Sequence, residues 1–435
     1  MLRAAADAPI RDAMATRRLA GERLPSGWTI SPLKRLLKPG QEGIKIGPFG
    51  SELRLDSLAE SGVPIYGQEN VLSCDFSFAR RFLGFDRLKD FSAYTVAPGD
   101  VLLTMMGTAG RCAVVPADAP VGIMDSHLLR LRVNQKLLQS GFGATVLHEA
   151  EYIRTQVVAE SKGSIMAGLN SAIVKQLNVM LPPVSEQSAI ADFLDRETEK
   201  IDALVAKKQR LVELLQEKRA ALISHAVTKG LDLDVPMRDS GIQTLGRIPA
   251  HYNVRSFGKV ASLQRGFDLP ADEREPGDFP VVSSGGIVDS HSVGPVEPPG
   301  VVTGRYGSIG SVYWLDSAFW PHNTALYVRD FWGNEPRFVY WLLLSLSAGI
   351  TAAESGKSAV PGLDQKDTRG LQVAIPPREE QLAIAAHLDA ETARIDSLTN
   401  EIRRASSLFH EYRTALVTAA VTGQFDVRES AKEAS

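Results

Sequence analysis

Two cysteines, Cys74 and Cys112, are all that 435 residues contain. That excludes a disulfide framework and makes a reducing compartment, the cytoplasm, the expected location. No apolar run reaches the roughly 18 residues of a membrane helix. The longest candidate, "FVYWLLLSLSAGI" from Phe338, is short and holds serines, so no membrane partner is expected. Positive charge is not in surplus either: 48 Lys and Arg stand against 51 Asp and Glu, a net charge of −3. Nucleic-acid affinity therefore cannot rest on bulk charge, although a local positive groove can sit on a near-neutral protein. The opening "MLRAAADAPIRDAMATRRLAGERLPSGW" lacks the apolar core of a secretory signal, and Asp7, Asp12 and Glu22 argue against a transit peptide. It reads as a tail, or as leader text before a start at Met14.

Signatures of catalysis are equally scarce. "SGKSAV" around Gly356 resembles a phosphate loop, but the glycine needed five positions earlier is Thr351, and no strand leads in. The double prolines are followed by Val184, Arg378 and Gly300, not by the aromatic an amino-methyltransferase carries there. The 8 histidines and two cysteines show no metal-ligand spacing, and no Ser-His-Asp arrangement can be argued from spacing. The expectation is a chain with no catalytic residue, no metal and no cofactor of its own.

What the chain does have is itself, twice. "LPPVSEQSAIADFLDRETEKIDALV" from Leu181 returns as "IPPREEQLAIAAHLDAETARIDSLT" from Ile375, 194 positions later. At the same offset "EKRAALISHAVTKGLD" (217–232) returns as "EYRTALVTAAVTGQFD" (411–426), and "SKGSIMAGLN" from Ser161 as "SGKSAVPGLD" from Ser355. Further upstream the offset widens. Gly107 and Gly110 align with Gly307 and Gly310 at 200, and "LPSGWTISPLKRL" from Leu24 with "IPAHYNVRSFGKV" from Ile248 at 224. This is a tandem duplication. Each unit is a globular part of varying length followed by a helical part in strict register.

Along the helical part apolar residues step by four and three: Ile190, Leu194, Ile201, Leu204, Leu211, Leu215 and Leu222. The second copy gives Ile384, Leu388, Ile395, Leu398, Ile402, Phe409 and Leu416. That spacing is the 3.5-residue seam of a coiled coil. Glu197 and Glu391 interrupt both seams, and Lys208 and Lys218 the first. Pro182-Pro183 and Pro376-Pro377 block extension upstream, while Gly230 and Gly423 offer stops. Helices are expected over 185–230 and 379–423, each about 40 residues or roughly 60 Å long. A helix of that length with one apolar stripe needs a partner, and the nearest is its own repeat. Paired antiparallel, the two would hold one globular half at each end.

The globular halves are bounded at 23–184 and 246–378, with a tail over 1–22, a connector over 231–245 and a second tail over 424–435. "VPIYGQENVL", "GDVLLTMMG", "CAVVPADAPVGI", "LLRLRV", "FPVVSSGGIV", "GVVTGRYGS" and "SVYWLD" read as strands between turns. "GATVLHEAEYIRTQVVAES" and "EPRFVYWLLLSLSAGIT" read as one helix per half. The class is α+β. Polar side chains beside the paired glycines are the candidate ligand contacts: Gln68, Asn70, Thr108, Arg111 and Lys162 in the first half, Arg305, Tyr306, Ser308, Asn323 and Lys357 in the second. Arg, Lys, Asn and Gln are the residues that read base edges, and hydroxyls hold phosphates. Two other readings stay open: a duplicated enzyme with its site between the halves, and a coiled-coil scaffold for protein partners.

The twice-used "PP..EQ.AI...LD.ET..ID", with "DSGIQTLGRIPAHY" (239–252) opening the second half, resembles the DNA-specificity subunit of type I restriction–modification systems, from about Arg23 onward. The resemblance implies two pseudo-symmetric target-recognition domains separated by two long helices forming an antiparallel coiled coil. Each domain would read one half of a split, asymmetric target in double-stranded DNA. Two methylation subunits would dock on the helices, bringing S-adenosylmethionine, and restriction subunits would bring ATP and Mg²⁺. The cell would be bacterial or archaeal.

Overall fold

The structure, a computed structural model, describes residues 24–48, 52–53, 58–107, 109–160, 169–305, 311–354 and 365–428. The chain divides into two units, Met1–Val205 with Ser406–Ser435, and Ala206–Ala405.

The first unit opens and closes its globular part on one antiparallel pair, Thr29–Pro32 against Asn178–Leu181. Between them lies a four-stranded sheet in the order Ile44–Ile46, Leu128–Leu131, Val101–Thr104 and Cys112–Val114. A five-stranded sheet holds Val63–Tyr66 parallel to Gly122–Met124. Val101–Thr104 and Leu128–Leu131 are buried along their whole length, which is why they read as apolar runs rather than alternating patterns. The buried exception, Arg130, bonds the Thr95 carbonyl and lies 3.9 Å from Asp100. The helices are α1 (Gln68–Ser73), α2 (Ser140–Glu149), α3 (Glu151–Glu160), α4 (Ser171–Gln176) and the start of α5 (Val184–Lys229). Where one helix was expected through "GATVLHEAEYIRTQVVAES", there are two. Ala150, fully buried and extended at φ −69°, ψ 122°, ends α2, and Glu151 opens α3 with an acidic first turn.

The second unit repeats the plan. Asn253–Ser256 pairs antiparallel with Gln372–Ile375. Its four-stranded sheet runs Ser262–Arg265, Ala325–Asp330, Gly300–Gly304 and Val312–Leu315, the first unit's order strand for strand. Phe279–Ser283 lies parallel to Trp320–Pro321 in a smaller sheet. The helices are α6 (Pro336–Glu354), α7 (Gln365–Gly370) and α8 (Arg378–Thr422).

The repeated Glu-Gln after each double proline is a structural clamp. Gln187, fully buried, donates to the carbonyls of Pro182 and Leu137, both at 2.9 Å, and accepts from the Gln139 amide at 2.8 Å. Gln381 donates to Pro376 O and Asn334 Oδ1 at 3.0 Å and accepts from the Glu335 amide at 2.9 Å. In each unit this ties the start of the long helix to the start of α2 or α6. The glutamates bind an aromatic from the unit's first strand region. Trp28 Nε1 donates to Glu186 at 3.1 Å, and Tyr252 donates to Glu380. Each aromatic also backs onto the glycine that ends the opposite helix. Gly423 (φ +73°) would place a Cβ 3.2 Å from Trp28, and Gly230 (φ +80°) one 2.7 Å from the Tyr252 hydroxyl. Both glycines are needed twice over, for handedness and for space.

Within the first unit Ile190 and Leu194 of α5 share a core with Val417 and Val421 of α8. Within the second, Ile223 and Val227 of α5 share one with Ile384 and Leu388 of α8. Burial follows most of the expected seam. Ile190, Leu194, Ile201, Ile384, Leu388, Ile395 and Ile402 are at most 6% exposed, and Leu215, Leu222, Phe409 and Leu416 are half-buried. Leu204, Leu211 and Leu398 are corrections: they are 43–44% exposed. After Ile201 the inward line steps four residues, to Val205, Lys208, Val212, Leu215 and Arg219, and after Ile395 it steps four to Thr399. An extra four-residue step resets the drift between 3.6 residues per turn and a 3.5 repeat. Arg219, not Lys218, takes the inward place, and Lys218 is exposed.

Candidate nucleic-acid interface

In the first unit several chain segments meet at one edge of the sheets. The Gly47 amide donates to Leu128 O (2.9 Å), Met105 to His127 O (3.0 Å) and Asp125 to Tyr66 O (2.9 Å). A Cβ on Gly47 would lie 1.9 Å from the Asp125 carbonyl oxygen, so the close approach requires glycine. The Asp125 side chain, 7% exposed, is the hub of this edge. Its Oδ1 accepts from Ser126 Oγ at 2.8 Å and the His127 amide at 3.2 Å, with His127 Nδ1 at 3.1 Å. Its Oδ2 takes the Arg81 guanidinium. Burial acts to raise the carboxyl's pKa. The bonds from Ser126 and Arg81 more than offset it, and the group is held below the usual range. Arg81 is 40% and His127 52% exposed, so the carboxylate is inside and the donors it holds face out.

The second unit builds the same edge from the repeated strands. Gly266 N donates to Ala325 O (3.0 Å), Arg305 N to Thr324 O (3.0 Å) and His322 N to Val282 O (2.8 Å). A Cβ on Gly266 would lie 2.3 Å from the carbonyls of Pro321 and His322. The side chains differ. Asn323 Nδ2 donates to Asp268 Oδ1, and Arg265 Nη2 lies 3.6 Å from the same oxygen. His322 Nδ1 lies 3.1 Å from Thr324 Oγ1. Burial, then the charge of Arg274, lowers the His322 pKa, which favours the neutral ring at pH 7.

Of the residues singled out from sequence, Gln68 begins α1 next to the Asp125 turn and is half-buried, and Arg111 is exposed at the start of Cys112–Val114. Arg111 Nη1 lies 2.7 Å from His148 Nε2, and burial, with Arg111 contributing, lowers the His148 pKa. Arg305 and Asn323 are half-buried on the second unit's edge. Asn70 is a correction. It is fully buried, donates to the carbonyls of Asp75 and Phe78 at 2.9 Å and accepts from the Gly67 amide at 2.9 Å, so its amide caps α1 inside the protein. Thr108, Lys162, Tyr306, Ser308 and Lys357 lie outside the described residues. Arg81, Asp125, His127, Arg265 and Asp268 were not singled out. For Asp125–His127 a signal exists: the turn before Leu128 aligns with His322–Thr324 before Ala325. For Arg81 there is none, because it reaches Asp125 from 44 residues away.

Among the described residues no three His, Cys, Asp or Glu side chains gather as a metal site, and no helix is long and apolar enough to cross a membrane. The family model for the type I restriction modification DNA specificity domain matches residues 66–214 and again 249–405. A putative type I restriction enzyme MjaX specificity subunit of Methanocaldococcus jannaschii is 20% identical over 93% of this chain and 95% of its own length. A chain solved in work on complex assembly and conformational transition of the type I R-M system superposes with a TM-score of 0.73 at 16% identity, covering 93% of this chain and all of that one. The HsdS subunit of Thermoanaerobacter tengcongensis gives 0.55 at 16%, over 93% and 99%. At these identities the solved structures speak for the fold.

Proposed function

The chain belongs to the type I restriction modification DNA specificity family, and from that premise we propose that it selects the DNA sequence on which a restriction–modification complex acts. Each unit reads one half of a bipartite, asymmetric target in double-stranded DNA. Helices α5 and α8 form an antiparallel coiled coil that sets the distance between the halves. Two methylation subunits dock on that pair, and restriction subunits join through them. S-adenosylmethionine, ATP and Mg²⁺ belong to those partners, and the chain itself performs no chemical step. The setting is the cytoplasm of a bacterium or archaeon.

One observation carries the reading. The sheet edge is built twice from the same backbone bonds and the same close-packed glycine, Gly47 or Gly266, yet displays different side chains. A constant frame with variable donors is what reading two unlike half-sites requires, since base edges, not phosphates, carry sequence. Gln68, Arg111, Arg305 and Asn323 line or flank these edges, and Thr108, Lys162, Tyr306, Ser308 and Lys357 are proposed as further DNA contacts. Exposed leucines support the docking of two equal partners. Leu204 and Leu214 on α5 recur as Leu398 and Leu408 on α8, all 43–63% exposed. Two copies of one subunit need one surface presented twice.

The test is a gel shift with the purified methylation subunit. The expected outcome is tight binding to the complete bipartite site and weak binding to either half alone. Full-affinity binding of a single half-site contradicts the reading.

A further inference from the structure

We propose that in each unit a carboxylate aims one donor at a base: Asp125 positions Arg81 to read guanine in one half-site, and Asp268 positions Asn323 to read adenine in the other. This rests on the DNA-reading function above and assigns the chemistry of its two edges.

The donor count supports the assignment. A guanidinium offers five N–H groups in a planar fork. Asp125 takes the Arg81 fork through Nη2, and the Arg81 side chain stays 40% exposed, with N–H donors to spare. Guanine presents two acceptors, O6 and N7, in the major groove, which match two parallel donors. Asn323 has two amide hydrogens and one carbonyl. With one hydrogen held by Asp268 Oδ1, one donor and one acceptor remain on the amide. Adenine presents that complement, the N7 acceptor and the N6 donor. The bond to Asp268 also settles which way the amide faces, which an unheld asparagine leaves open.

A phosphate-binding role fits less well. Affinity for phosphate comes from net positive charge, and both sites cancel theirs: Arg81 is paired with the buried Asp125, and Arg265 lies 3.6 Å from Asp268. A carboxylate next to a phosphate-binding group is a liability unless direction matters more than charge. Stability does not explain Asp268 either, because its side chain is 72% exposed and exposed pairs contribute little. The two edges also place their acids differently. In the first the acid sits on the turn before the central strand, at Asp125; in the second the turn supplies the reader, Asn323, and the acid follows Gly266.

The experiment uses the full chain with its methylation subunit and a pool of double-stranded DNA with randomised positions, the bound fraction being sequenced. Wild type should yield a bipartite profile. Asn323→Ala should lose an adenine preference at one position of one half, by about tenfold or more, with the other half unchanged as the control for folding. Asp268→Ala should lose the same position, and Asp268→Asn, which keeps a carbonyl acceptor, should restore it. Arg81→Ala should lose a guanine at one position of the opposite half. A bipartite wild-type profile that these variants leave unchanged, or alter in both halves or at other bases, overturns this inference alone. A wild-type profile without bipartite preference overturns the proposed function and the inference with it.

Discussion

Asp202 Oδ1 lies 3.2 Å from Arg413 Nε in the first unit, and its repeat mate Asp396 lies 3.5 Å from Arg219, the repeat mate of Arg413, in the second. One ion pair is therefore spelled twice, with its partners exchanged between α5 and α8. The surroundings differ. Arg413 also forks onto Glu149 at 2.7 and 3.0 Å, whereas Arg219 lies over the Trp341 ring at 5.9 Å and makes no hydrogen bond through Nε.

Arg413→Ala should accordingly cost more than Arg219→Ala. Losing the fork onto the mostly buried Glu149 is expected to cost about 2–3 kcal/mol, and losing the exposed Asp396 contact about 1 kcal/mol or less. Thermal unfolding of the two variants checks the order, and equal costs would contradict it.

The buried glutamines should be more sensitive still. Gln187→Ala removes two donors and one acceptor from a buried site and strands the Gln139 amide, at about 1–3 kcal/mol per unsatisfied group. Gln381→Ala should act alike on the Glu335 amide. The measurement is Tm together with limited proteolysis, which should open the unit that carries the substitution first.

The leucines that left the seam separate folding from assembly. Leu204→Lys with Leu398→Lys should change stability by no more than about 0.5 kcal/mol, as surface substitutions do, yet weaken capture of the methylation subunit. Val212→Lys, at a buried position, should cost several times as much stability, about 2 kcal/mol or more. Urea titration and pull-down of the methylation subunit read the two effects apart.

Acid should loosen the first unit through Glu149. Burial acts to raise its pKa, but the bond and charge of Arg413 hold it below the ordinary value. A depressed carboxyl stabilises the fold while ionised. That stability is present above its unfolded pKa, near 4.3, and is lost as pH falls through the folded value. The Tm advantage of wild type over Glu149→Gln should thus be full at pH 7 and shrink as the pH falls below about 4.

The duplication and the two long helices were legible because a helix tolerates no insertions without breaking its stripe, so the offset of 194 survived intact. The seam reading slipped just after Ile201. There Leu204 and Val205 satisfy the spacing equally well, and leucine is the more apolar choice; the reset is settled by packing, which the pattern alone does not contain. Asn70 misled because a polar residue beside a glycine looks the same whether it faces water or caps a helix. The Arg81–Asp125 edge was out of reach, since the two residues flank different strands and meet only because Val63–Tyr66 pairs with both Phe82–Leu83 and Gly122–Met124. By contrast Trp28 and Tyr252 could be matched by the repeat at an offset of 224, though nothing in that match says that each backs onto a glutamate and a helix-ending glycine.

The central claim, two reading units at a fixed separation on one chain, is tested most directly by varying the DNA. Affinity of the assembled complex is measured on targets whose half-sites are kept and whose spacer is lengthened or shortened one base pair at a time. The account predicts one preferred spacer, with affinity falling on either side as each added base pair shifts and rotates one half-site. Binding that is indifferent to spacer length would contradict it.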